Sequence, residues 1–184
     1  GAYAARRALA RLSARRLGTR QCPVLFEAPL VCGLLGSFVQ AASGGALYRK
    51  ASFLVEALGK PLFAPHVSLH EDPYIPRASG SGAFDEEGVR GQCRDVVADG
   101  VLAGYFLSSY SARKLGMKTT GNAGGAHNLQ IRSSLTEPGD DFAQMIRKLD
   151  RGLLVTELIG QGVNLVTGDY SRGATGFWVE GGRI

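Results

Sequence analysis

Residues 160–182 read GQGVNLVTGDYSRGATGFWVEGG, and this stretch decides the fold class. It holds the only tryptophan, Trp178, and a polar knot, Thr167 to Arg172, set between two apolar, β-prone runs. Short β-prone runs punctuated by glycine predict antiparallel β-structure with a close backbone approach at the turn. Glycine is used where φ must go positive or another chain must come near. Asp169, Tyr170, Ser171 and Arg172 stand on that turn. Loops on a rigid sheet are where binding residues concentrate. The plain alternative is a tight turn whose Asp and Arg satisfy each other.

Working outward, Gly152 to Ile159 reads as a strand with Glu157 inside an apolar run, completed by two short strands from the opening stretch. Before it, Phe142, Met145, Ile146 and Leu149 share one face of a helix over 140–149. Arg90–Ala98 and Val101–Tyr110 are β-prone runs separated by Asp99-Gly100, which predicts a long hairpin through a type I′ turn. Ser111 caps a helical turn to Leu115, and TTGNAGGAHN over 119–128 is a polar, glycine-rich loop. Residues 64–88 resemble a linker, with a short strand Val67–Leu69 and an acidic cluster Asp85-Glu86-Glu87. Leu30, Leu34, Leu35, Phe38, Val39 and Ala42 predict a well-buried helix over 29–43, stopped by Gly44-Gly45. A short helical piece then runs to Gly59-Lys60-Pro61, and Pro23 to Phe26 reads as a short buried strand. Ala5, Ala8, Leu9 and Leu12 predict an amphipathic helix over 2–17. The sum is an α+β fold, an antiparallel sheet with helices packed on it.

The chain has 184 residues, 45% hydrophobic and 20% charged, enough for one sizeable core. Gly1 and the β-like run to Ile184 suggest a fragment, with the first helix leading in from another domain. Net charge is +5, with five arginines in the first sixteen residues. They share a helix with an apolar face and lack interleaved aromatics, so a solvated helix face is expected rather than a nucleic-acid stripe. Cys22, Cys32 and Cys93 are scattered, as expected of free thiols in a reducing, cytoplasmic compartment. No apolar run approaches the roughly 18 residues that a membrane span needs.

No catalytic constellation emerges from spacing alone. His66-x3-His70 lies between Pro65 and Pro73, lacks the glutamate of a zinc helix and has no cysteine beside it. The loop 119–128 lacks the lysine and the spacing of a phosphate-binding loop. There is no nucleophile elbow.

Four longer runs add a family resemblance: VTELIGQGVNLVTGDYSRGATGFWVEGG (155–182), SSYSARKLGMKTTGNAGGAHN (108–128), GSFVQAASGGALYRKASFL (36–54) and FDEEGVR (84–90). Together they resemble the PmbA, or TldE, family over nearly the whole chain. The resemblance implies a single, incomplete C-terminal domain over 1–184, of the TldD/PmbA type, with a barrel-like antiparallel core. It also implies a cytosolic bacterial protease in which a PmbA-like subunit pairs with a TldD-like sister to cleave unfolded or flexible peptides. An older family name, modulator of DNA gyrase, implies the alternative of a stand-alone interaction module. In the sister subunit a helix carries HExxxH and a later cysteine also ligates zinc. Matched on the YRK and VTGDY runs, those positions are Gly36, Ser37, Ala41 and Ala174 here. Glycine and alanine cannot ligate zinc, and serine cannot replace the carboxylate base. The resemblance therefore implies no zinc in this chain, zinc in the sister, and Asp169 to Arg172 at the subunit interface or chamber wall.

Overall fold

The structure, a computed structural model, describes residues 1–184. Twelve elements follow in order: α1 (Ala2–Leu9), β1 (Val24–Phe26), α2 (Ala28–Ala41), α3 (Gly44–Tyr48), β2 (Val67–Asp72), β3 (Arg94–Ala98), β4 (Val101–Leu102), α4 (Ser109–Lys114), β5 (Asn128–Ser133), α5 (Phe142–Leu149), β6 (Gly152–Ile159) and β7 (Gly173–Val179). The strands form two open sheets, ordered β1-β6-β7 and β4-β3-β2-β5. The fold is mixed α and β as expected, but no barrel closes. The sheets are not wholly antiparallel either: β1 runs parallel to β6, Val24 opposite Leu153. A parallel neighbour needs a long crossover, and here everything from α2 to α5 lies between the two strands.

The larger sheet carries the main core. Leu69, Val96, Val97 and Leu102 pack with Tyr105–Leu107, with Phe38 and Ala41 of α2, and with Leu47 of α3. Asp99 (φ 47°) and Gly100 (φ 81°) both have positive φ, as a type I′ turn requires. The hairpin is shorter than expected. The Ala103 and Gly104 amides both donate to Val96 O, the ladder ends, and Tyr105, Phe106 and Leu107 turn into the core. The aromatic run that reads as a strand serves as packing instead. The tyrosine hydroxyl at 105 donates to Leu54 O at 2.5 Å and accepts the Ala57 amide at 3.0 Å, fixing the irregular segment beneath it.

Three helix boundaries also differ. Gly44-Gly45 opens α3 rather than merely ending α2, because Ser43 caps it by accepting the Ala46 amide. Ser108, not Ser111, caps α4, and Ser111 closes a capping box onto it. The helix at the start stops at Leu9, and none of its residues is buried. A helix this short without a packed face is marginal. It is tied down by polar contacts alone: Arg7 pairs with Glu27 at 2.8 Å and reaches Thr156 O, and Arg11 pairs with Glu157 at 2.7 Å.

The smaller sheet packs one face on α5, through Ile146, Leu154 and Val179. Asp141 caps α5 by accepting the Gln144 amide at 2.7 Å. Glycine sets how closely its strands approach. A Cβ at Gly152 would sit 2.5 Å from Pro23 O, and one at Gly176 would fall on the Leu154 carbonyl. Both obstacles are backbone and cannot rotate away. Gly176→Ala is therefore expected to lower stability by about 1–3 kcal/mol through overpacking. Gly36, on an open helix face with nothing within 4 Å, is the control. Gly36→Ala should raise stability by about 0.5–1 kcal/mol through the backbone entropy of the unfolded chain. Urea midpoints of the two variants test both signs.

Candidate functional site

Helix α2 is the most apolar helix of the chain, yet only Phe38 and Ala41 are buried. The expectation of a well-buried helix is thus corrected, since Leu34 remains 40% exposed and Cys32 and Gly33 face solvent. The larger sheet covers only one side of α2. On the other side Leu34, Leu35, Ser37 and Phe38 line a groove of about 280 Å³, closed by Phe53, Phe63, Val163, Leu165 and Tyr170.

That groove exists because the 160–172 loop is tethered. The Phe53 amide donates to Leu165 O at 2.8 Å, and Gly168 lies against the Phe53 ring. Within the loop, Asn164 Oδ1 accepts the Val166 amide, and Asp169 O accepts the Asn164 amide. An isolated bridge joins Val163 to Tyr170. Asp169 does not pair with Arg172: its carboxylate takes the Thr167 hydroxyl at 2.6 Å. The Arg172 Nε is sealed from solvent without an acceptor. Ser171 is exposed, its amide donating to Gly162 O at 2.6 Å. Of the four turn residues, Tyr170 is the one that lines the groove.

The four positions matched to a zinc helix and its cysteine go to different places. Ser37 lines the groove with Tyr170, and its hydroxyl donates to Gly33 O at 3.2 Å. Gly36 is exposed, whereas Ala41 is fully buried in the main core. Five residues along a regular helix turn the side chain by about 140°, here with Gly36 toward solvent and Ala41 toward the core. Ala174 lies on β7 opposite Leu158, lining a cleft under residues 10–20 instead. Zinc needs three or four N, O or S donors converging on one point, and this set offers one hydroxyl already engaged. The histidines are engaged elsewhere: His66 with Ser133 Oγ, His70 with Asp95 at 2.7 Å, and His127 with the carbonyls of Gly80 and Gly121. No three of the chain's His, Cys, Asp and Glu side chains gather at metal-binding distance. The residues present do not fit a zinc ion.

The glycine-rich loop 119–128 is built for internal use. Its Thr120 amide donates to Leu107 O, Gly121 to Thr119 Oγ1, Ala123 to Asp85 Oδ2, Gly125 to Asn122 O and His127 to Glu71 Oε1. These N–H groups are not free to cradle a phosphate. The partners were not legible from the sequence, where Asp85 reads as part of an acidic cluster and Glu71 lies past the expected strand Val67–Leu69. Asn122 in the glycine-rich run GNAGG is the only local hint.

Two open sheets under helices, with a tethered turn closing an apolar groove, make this a mixed α/β domain. The model of the family described as "PmbA/TldA metallopeptidase C-terminal domain" matches residues 19–184, and the chain belongs to that family. It is 50% identical to the metalloprotease PmbA of Escherichia coli O157:H7 over all of its length. That alignment covers 40% of the E. coli protein, so the chain spans well under half of its curated relative. A solved Bacteroides thetaiotaomicron structure, described as a candidate modulator of DNA gyrase, superposes with a TM-score of 0.90 at 30% identity, over 99% of this chain and 40% of that one. TldE from Thermococcus kodakarensis superposes with a TM-score of 0.74 at 26% identity, over 88% and 39%. The family is thus one of PmbA, TldD and TldE metalloproteases. No helix is long and apolar enough to cross a membrane.

Asp85 gives the loop a pH signature. Burial pushes its carboxyl up, but backbone N–H groups of Ala123, Val89 and Glu87 outweigh that and hold it below the usual carboxylate range. A depressed folded-state value means stability that is complete above the unfolded value, about 3.9, and is lost as pH falls through the folded value. Asp85→Asn should leave the Ala123 N–H without its charged acceptor and lower stability at pH 7 by about 1–3 kcal/mol. The difference from wild type should close progressively below pH 4. Urea unfolding of both proteins across that range measures it.

Proposed function

We propose that this chain is the C-terminal part of a PmbA-like subunit that holds no catalytic zinc and acts beside a TldD-like, zinc-bearing sister in a cytoplasmic heterodimeric peptidase. One observation carries the reading. Gly36, Ala41 and Ala174 carry no side-chain donor and Ser37 no carboxylate, so the four positions supply no ligand set. Family membership supplies the peptidase context. The subunit's contribution is a surface. Sister domains facing each other enclose a chamber, as pseudo-symmetric dimers do, and unfolded peptide is cleaved there.

The exposed apolar side of α2 and the Tyr170 turn form the contact face in this proposal. An apolar groove rimmed by polar side chains is the usual make-up of a subunit contact. Tyr170 is 39% exposed and already positioned by the tethered loop, so little ordering entropy opposes its docking. Arg172 follows Tyr170 by two residues in the same loop, and its buried Nε has no acceptor within this chain.

Elemental analysis of the full-length protein, alone and co-purified with a TldD-like sister, tests the assignment. Zinc and peptide cleavage are expected only in the complex. Stoichiometric zinc in the isolated protein, or cleavage by it alone, overturns the reading. Stable capture of a gyrase subunit without cleavage would favour the interaction-module alternative. For the contact face, Tyr170→Ala and Arg172→Ala are each expected to weaken complex formation about tenfold or more, as truncation of an interface anchor does. Wild-type assembly and cleavage in both variants would remove the face from the site.

A further inference from the structure

Away from the α2 groove, a second hollow of about 520 Å³ opens between α3, α4 and the turn at 55–58, and it shares no lining residue with the first. Its interior is apolar, with Leu47, Val55, Tyr105, Leu115 and Met117 among the lining residues. Lys50 and Lys114 stand at it, with Glu56 as its one carboxylate. The volume falls within the roughly 300–1,000 Å³ typical of ligand pockets.

Beside the hollow, its lining residues Tyr48 and Lys114 are held by neighbouring contacts. Tyr48 and Tyr110 meet edge to face, with ring centroids 5.7 Å apart. Arg49 lies over the Tyr48 ring at 5.3 Å and Lys114 over the Tyr110 ring at 5.7 Å. Cations over aromatic faces are held by the ring quadrupole. None of Arg49, Lys50 and Lys114 makes an ion pair within this chain. Two lysines without an ion pair at an apolar hollow, with Arg49 over the ring of the lining residue Tyr48, are complementary to an apolar side chain flanked by carboxylates.

We propose that this hollow binds an acidic peptide segment, inserting one large apolar side chain between α3 and α4 while neighbouring Asp or Glu side chains meet Lys50, Lys114 and Arg49. Single-stranded nucleic acid fits less well. Base stacking needs free aromatic faces, and both tyrosine faces already carry a cation or a ring edge. The proposal is independent of which subunit holds zinc.

Fluorescence anisotropy with a labelled acidic decapeptide carrying a central Phe between Asp and Glu residues tests it on the full-length protein. Saturable binding is expected. It should weaken tenfold or more in the Lys50→Glu/Lys114→Glu double variant and several-fold when Ala replaces the peptide's Phe. It should also weaken as salt rises. Tyr110→Ala keeps both charges and should weaken binding through the lost contacts to Tyr48 and Lys114, with circular dichroism confirming the fold. Absence of saturable binding, or equal affinity in the double variant, overturns the proposal. Tighter binding of a single-stranded oligonucleotide of the same charge, lost in the same variants, would reassign the surface to nucleic acid.

Discussion

A carboxylate inside the larger sheet organises most of this fold. Glu71 is 1% exposed, yet its two oxygens accept from Arg94 Nε at 2.8 Å, Asn122 Nδ2 at 2.7 Å and the His127 amide at 2.9 Å. An unpaired charge at that depth would be prohibitive, so it is tolerated only with its partners in place. Those partners come from β3, from the glycine-rich loop and from the segment entering β5. Arg94 in turn donates to Tyr105 O and Asn122 Oδ1 and lies over the Phe106 ring. One charge thereby fixes where the loop crosses the sheet, where the chain leaves β4, and how the aromatic run enters the core. Buried ion pairs contribute little net stability against an apolar replacement. What this one fixes is geometry, because half-satisfied polar networks are worse than none.

The second constraint is the joint between the two sheets. They share no strand, so contact rests on α2 and on the loop that reaches back from β6 to Phe53. The loop holds its shape through short-range bonds around Asn164, Thr167 and Asp169, and it docks through one backbone bond and one ring contact. Gly168, with φ 82°, packs on the Phe53 ring, where the contact leaves little room for a side chain. The apolar groove follows from this geometry. The helix gives one side to the core and has only a short loop to cover the other.

Legibility in the sequence followed the range of the interaction. The Asp99-Gly100 turn, the span of β6 and the packing of Ile146 and Leu149 on α5 depend on neighbours within a few residues and were readable, although Phe142, expected on the same face, is exposed. The extent of the hairpin was not, because Tyr105 leaves the sheet for carbonyls and amides about fifty residues away. The parallel pairing of β1 with β6 spans more than a hundred residues and has no local signature. Nor does β5, which follows the glycine-rich loop without clear alternation. The acidic and glycine-rich stretches misled for one reason: polar residues satisfied by distant backbone look, locally, like polar residues satisfied by water. The family resemblance supplied the zinc-site positions, but only the structure separates them, placing Ser37 in the groove, Gly36 in solvent and Ala41 in the core.

That separation bears on the proposed pairing. A metal site demands several donors held to a few tenths of an ångström, and each must be desolvated and oriented by its surroundings. At position 41 this chain uses the space for core packing, where a small apolar residue lets α2 sit close to the larger sheet. At position 36 glycine leaves the helix face low and open beside the groove. Both choices favour a surface over a centre. They let α2 pack tightly on one side and present an apolar face, preset by the tethered Tyr170 loop, on the other. In the proposed pairing, such a helix supports a neighbouring active site without duplicating its chemistry.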